Sequence, residues 1–351
     1  MSAATNRYAS LELGIDTFGD VTVDAMGQLR SHATVLRDVL EEAVLADALG
    51  IDFFGVGEHH RADFAVSAPE VVLAAIAGKT SWIRLGSAVT VLSSDDPVRV
   101  FQRFATLDAL SNGRAEVILG RGSFTESFPL FGYRLGDYEE LLEEKVNLFA
   151  ALRAEKPITW SGRTRSALEE QSVYPQTESG SLTTWIGVGG SPNSVARAAH
   201  YGLPLMLAII GGDPSRFLPF VDLYHRETEA RGEIPLPVGV HSPGYVADSD
   251  EAAMEQLWPH LREMRDRIGR ERGWGPIQPG EFAREAGPLG SLYVGSPETV
   301  ARKIVATVQT LRLSRFEMKY SAGTLSHENL MHSIELFGTK VIPLVREMLR
   351  S

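Results

Sequence analysis

Eight times along this chain a short apolar segment, too brief for a helix and rich in β-branched or aromatic residues, precedes a segment with helical spacing. That alternation leaves few folds open. Strands joined through helices run parallel, and a parallel sheet needs helices to cover it. The predicted strands begin at Leu11, Ile51, Ile83, Ala115, Trp185, Leu205, Val238 and Phe316, with Pro243 interrupting the seventh. Helical spacing fills 36–49, 71–78, 96–110, 138–152, 191–201, 214–231, 251–272, 296–311 and 327–349. Several starts carry local signals: Asp96-Pro97, Ser191-Pro192 and Ser296-Pro297 as caps, and Ser67 with Glu70 at the spacing of a capping box.

Eight strand-then-helix units fit a closed α/β barrel, the (β/α)8 or TIM barrel, better than an open doubly wound sheet. The competing arrangement is two α/β domains meeting in the weakly patterned stretch 156–184, but Trp185 resumes the same rhythm. The chain therefore reads as a single barrel domain over 1–351. It carries an excursion at about 154–184 with a short β-ribbon, and a Gly- and Pro-rich segment at about 273–290 that forms a lid or an ordered loop.

Composition removes several classes of function. The net charge of −11 disfavours non-specific binding to nucleic acid or an anionic membrane. No apolar run reaches membrane-span length, and the first ten residues lack the pattern of a secretory signal, so a cytoplasmic location is expected. The absence of cysteine excludes disulfides and thiolate metal sites. No H-E-x-x-H or Cys/His spacing suggests a metal, and no G-x-S-x-G elbow suggests a serine hydrolase.

In such barrels the chemistry lies at the carboxyl ends of the strands. The second strand ends there in Gly57-Glu58-His59-His60, three consecutive groups that carry charge or move protons. On extended backbone, neighbours alternate, so Glu58 and His60 share one side and His59 faces the other. An unperturbed histidine titrates near pH ~6.5 and would exchange protons at cellular pH. The fourth strand ends in Gly120-Arg121-Gly122-Ser123, which puts a fixed positive charge at the mouth. The fifth runs into Gly187-Val188-Gly189-Gly190-Ser191-Pro192-Asn193-Ser194, a glycine turn opening a helix. That turn is either a phosphate cradle or an ordinary strand-to-helix connection. The remaining histidines, His241 among them, are scattered and read as structural or solvated.

Taken together, several stretches closely resemble the bacterial luciferase-like flavin monooxygenases. They are Gly57 to His60, Leu85 to Leu92, Asp96 to Arg99, Thr106 to Arg114, Gly120 to Gly122, Gly189 to Pro192 and Ser333 to Thr339, in the same order along nearly the whole chain. The resemblance implies a (β/α)8 barrel that binds FMN non-covalently at its mouth, over a bulge made by a cis bond at Ala88–Val89. It implies that Arg121, with Val188, Gly190, Ser191 and Ser194, holds the phosphate, and that Glu58 and Gly120 also border the cofactor. His59 matches the family's general base. Gly120 stands where luciferase itself has a cysteine, which argues against light emission. The implied activity is oxidation of a small organic substrate by molecular oxygen, with reduced FMN delivered by a separate flavin reductase. A homodimer or higher homo-oligomer is implied through the helices carrying Val71, Val72, Ala75, Val100, Phe101 and Phe104. Two other readings share the barrel: a deazaflavin-dependent oxidoreductase, and a non-catalytic flavin-binding protein.

Overall fold

The computed structural model describes residues 8–122 and 124–350; Ser123, the last residue of the predicted arginine loop, lies outside them. Eight parallel strands close on themselves: β1 (Glu12–Thr17), β2 (Phe53–Val56), β3 (Arg84–Ser87), β4 (Ala115–Gly120), β5 (Thr183–Val188), β6 (Leu205–Ala208), β7 (Val238–Val246) and β8 (Arg315–Lys319). The ring is completed where β8 pairs with both β7 and β1, aligning Arg315 with Gly239 on one side and Glu12 on the other. The expected (β/α)8 barrel is the observed fold. Pro243 does not break β7. Residues up to Pro243 pair with β8, whereas Gly244 onward pairs with the short strand Tyr293–Gly295, so the proline sits where the strand changes partner.

The helices of eight residues or more are α1 (His32–Ala48), α2 (Pro69–Ala77), α3 (Pro97–Leu110), α4 (Tyr138–Leu152), α5 (Pro192–His200), α6 (Leu218–Ala230), α7 (Asp250–Arg272), α8 (Pro279–Ala286), α9 (Pro297–Leu311) and α10 (His327–Leu336). Asp96 caps α3 through the amides of Val98 and Arg99, and Ser296 caps α9 through that of Thr299. The capping box expected from Ser67 and Glu70 is not formed. Ala68 is the N-cap of α2, because Pro69 is preorganised for the first helical position, and the Glu70 carboxylate turns to Arg103 on α3. Among the described residues no helix is long and apolar enough to cross a membrane.

The weak stretch contains the expected ribbon, with Ile158–Trp160 antiparallel to Leu168–Gln171. Of the segment 273–290, Gly273 ends α7 in the left-handed region and α8 follows, its Phe282 packed 4.9 Å from Trp258. Three residues expected on a dimer face, Val100, Phe101 and Phe104, are instead buried within the chain. Because α3 packs between α2 and α4, its apolar side is already used. Val71 and Ala75 on α2, and Trp82 beyond it, remain exposed.

The barrel interior is partly charged. Phe53, Ile118, Trp185 and Met206 form a cluster separate from the larger core between strands and helices. The Arg315 guanidinium lies 4.6 Å from the ring centres of both Phe53 and Trp185. It pairs with Glu116 at 2.8 Å and Glu317 at 3.4 Å, and Trp185 donates to Glu116 at 2.9 Å. Burial pushes the Glu116 carboxyl up, but Arg315 and Arg84 outweigh it and hold it at about 2. For Glu317 burial wins over Arg315 and, helped by the charge of Asp16, holds the group well above the carboxylate range.

Candidate active site

After β3 the chain kinks at a cis Ala88–Val89 bond and returns to the sheet at Thr90–Val91, which pairs with Leu119 and Gly120. The Val89 side chain lies against Gly120: a Cβ at position 120 would be 2.6 Å from Val89 Cγ2, so glycine is what lets the bulge settle there. Glu58 secures it from the other side. Its Oε2 accepts from the Val91 amide at 2.9 Å and its Oε1 lies 2.9 Å from His60 Nε2. The alternation expected on this segment is therefore observed, and Glu58 reaches the mouth through the backbone that it holds.

His59 turns the opposite way, into a ring cluster of Phe64 (4.5 Å between centroids), Phe18 (4.6 Å) and Phe124 (5.2 Å). Burial drives its pKa down to about 3, against a smaller opposing pull from Asp20. The ordinary titration near neutrality expected from sequence is thus lost. The imidazole is uncharged at neutral pH and, with its pKa so far down, binds a proton only weakly.

On the adjoining edge, Arg121 leaves β4 with its exposed guanidinium 5.2 Å from the Tyr138 ring centre. The neighbouring strand β5 ends at buried Val188 and passes through Gly189 and Gly190 into α5. Gly190 has φ +113°, and a Cβ there or at Gly189 would meet no heavy atom within 4 Å, leaving open space against the backbone. Ser191 stands at the N-cap without the side-chain bond expected of it, and the Ser194 amide begins the first turn, bonded to the Ser191 carbonyl. One turn on, Arg197 pairs with Glu143 and Glu139, while its Nη1 is buried without a partner among the described residues; so is Thr90 Oγ1 on the bulge. An arginine, a glycine turn at a helix start and these orphaned donors suit an anionic ligand with a planar polar body. Tyr138 and Arg197 escaped the sequence reading, since neither lies in a strand-end motif.

The opposite wall was also missed. Lys319 holds both oxygens of Asp20, at 2.9 and 3.1 Å, and Ser321 donates to Asp20 at 2.6 Å, tying the loop after β1 to the one after β8. Above it Arg61 gathers Asp63, Glu126 and Glu271 from three separate segments, and Arg267 reaches Asp63 at 2.8 Å. These side chains line a cavity of about 450 Å³ together with Val21, Leu29 and His60.

A family model described as luciferase-like monooxygenase matches residues 17–314. Among curated proteins, the alkanal monooxygenase alpha chain of Photobacterium leiognathi is 22% identical over 90% of this chain and 95% of its own. The uncharacterised protein YvbT of Bacillus subtilis is 27% identical over 87% and 90%. Among solved structures, monooxygenase RslO1 of Streptomyces bottropensis superposes with a TM-score of 0.80 at 22% identity, covering 95% of this chain and 99% of that one. The oxygenating constituent of 3,6-diketocamphane monooxygenase from Pseudomonas putida, solved with FMN, gives 0.73 at 20%, with 95% and 98% covered. The F420-dependent tetrahydromethanopterin reductase of Methanopyrus kandleri gives 0.69 at 18%, with 95% and 99% covered. With a match spanning most of the barrel, the chain belongs to the luciferase-like monooxygenase family.

Proposed function

We propose that this protein is the oxygenase of a two-component system, using reduced FMN from a separate flavin reductase and molecular oxygen to oxidise a small organic substrate. The observation that carries this reading is the junction of two features at one end of the barrel: the Ala88–Val89 bulge, and beside it the edge formed by Arg121 and the glycine turn before α5. The first offers a shaped surface for a flat ring, and the second a site for its phosphate. When bound, FMN supplies the electrons that activate oxygen; the residues of this chain bind, orient and shield it.

In this reading Arg121, Ser191, Ser194 and the amides after Val188 hold the phosphate, with Gly190 allowing close approach. Ala88, Val89 and Gly120 border the ring, and Glu58 keeps the bulge in place. His59 takes part through its neutral imidazole, as a hydrogen-bond partner in proton transfer at the mouth, and the ring cluster around it excludes water. His59→Ala should leave folding and FMN binding intact while slowing substrate oxidation at least tenfold, roughly the cautious end for acid–base assistance. Unchanged single-turnover rates in a folded variant would reduce His59 to a packing residue.

The functional test is a substrate screen with a flavin reductase, NADH and oxygen, scoring oxygenated product against hydrogen peroxide. Product formation supports the oxygenase; FMN binding with no turnover on any substrate class favours a flavin carrier. Two copies are proposed to meet through Val71, Ala75 and Trp82, the last 83% exposed. Light scattering should then give about twice the chain mass of 38.4 kDa, and a Trp82→Glu variant should fall to that value. A wild-type mass of one chain would remove the dimer.

A further inference from the structure

We propose that His241, oriented by Asp16, is the proton-exchanging residue on the floor of the barrel mouth. This rests on the flavin reading above and adds a residue to it.

Asp16 is fully buried near the end of β1, and its Oδ2 lies 2.8 Å from His241 Nδ1 on β7. The two strands are not neighbours; β8 runs between them, so the pair spans the barrel interior. Its position relative to the bulge is set by Gly55. A Cβ there would sit 2.8 Å from Asp16 Cβ and 3.0 Å from Ala88 Cβ, so the two side chains approach each other over Gly55. The imidazole stacks on Phe18 at 5.9 Å and 15° between ring planes, and the edge of Phe18 meets His59. His241 is 9% exposed, and Nε2 has no hydrogen-bond partner among the described residues. A carboxylate on Nδ1 therefore fixes the tautomer with Nδ1–H toward Asp16, and leaves Nε2 as the atom that meets the mouth.

The surrounding charges support that role. Glu317 on β8, level with His241, has its carboxyl pushed up by burial, and the carboxylate in contact with the imidazole is that of Asp16. The other groups on this side are Lys319 and Asp20, which neutralise each other. Asp16 Oδ1 is buried and without a partner among the described residues, so the carboxylate is not used up as a structural bridge.

When bound, reduced FMN would supply the two electrons and two protons that turn O2 into hydrogen peroxide in the absence of substrate. In that balance His241 Nε2 would accept one of the protons and give it up to the peroxide product, while its Nδ1–H stays donated to the Asp16 carboxylate. The full chain, loaded with reduced FMN and mixed with oxygenated buffer between pH 5 and 9, tests this by stopped flow. His241→Asn should slow reoxidation at pH 7 at least tenfold at equal FMN affinity, and abolish the limb of the profile that depends on it. Asp16→Asn should keep that limb and move it to lower pH, because losing the anion disfavours the imidazolium. Profiles matching wild type in folded variants would overturn the proposal.

Histidine 15N NMR on the cofactor-free chain gives a second, independent readout. The signal lost in His241→Asn should be protonated on Nδ1 and bare on Nε2, and change tautomer populations in Asp16→Asn. A ring protonated on Nε2, or one insensitive to Asp16→Asn, overturns the pairing. If FMN fails to bind the wild-type chain at all, the cofactor reading falls, and the NMR result alone decides the pair.

Discussion

Replacing Arg315 by methionine is expected to lower the unfolding free energy by about 3–5 kcal/mol, the cost of removing one partner from a buried ion pair. Arg315 is 1% exposed and touches every side of the lower barrel: Glu116 and Glu317 inside, Glu12 at the base, and the faces of Phe53 and Trp185. Methionine fills comparable space but leaves the Glu116 carboxylate buried, with Arg84 and the Trp185 indole as its remaining partners. At the entropy usual for a chain of this size the loss corresponds to a fall of about 4–7 °C in the unfolding midpoint. Urea unfolding measures it directly. Adding Glu116→Gln to Arg315→Met should restore part of the loss, since the uncompensated charge goes with it. A single-variant loss below about 1 kcal/mol would show that the pair is solvated and contributes little.

Arg121→Ala is expected to weaken FMN binding by about 1.5–3 kcal/mol, roughly 10- to 150-fold, with no change in folding. The side chain is exposed and leans on Tyr138, so removing it exposes no core. The phosphate would keep the amides of the glycine turn and lose its fixed charge. Arg121→Lys should recover only part of the affinity, because an ammonium cannot make the paired contact of a guanidinium. An isothermal titration in which Arg121→Ala binds FMN like the parent would take this residue out of the site.

The barrel and the rim of its mouth were legible because both are written locally. Strands and helices announce themselves by periodicity, and Gly57 to His60, Gly120 to Gly122 and Gly189 to Ser194 lie in unbroken runs at strand ends. The alternation of Glu58, His59 and His60 followed from extended geometry alone. What closure brings together was not legible. Asp16 meets His241, Lys319 meets Asp20, and Glu116 meets Arg315, joining residues far apart in the chain whose segments show no motif. His241 looked like one more scattered histidine for that reason. The histidine that did stand out, His59, faces away from Glu58 and His60 as expected, but its ordinary titration is lost, because the ring cluster that buries it draws on Phe18 and Phe124 from other loops. Helix starts failed where two signals competed, as when Pro69 overrode Ser67.

The most direct test of the account is a parallel titration of the wild-type chain with reduced FMN and with a reduced deazaflavin, under argon, followed by exposure to oxygen. The account expects reduced FMN to bind with at least tenfold preference, and its oxidation on the protein to consume oxygen at a rate that Arg121→Ala lowers at fixed, sub-saturating FMN. Preferential binding of the deazaflavin, with no oxygen consumed, would contradict the oxygenase reading and make the same barrel a deazaflavin-dependent oxidoreductase.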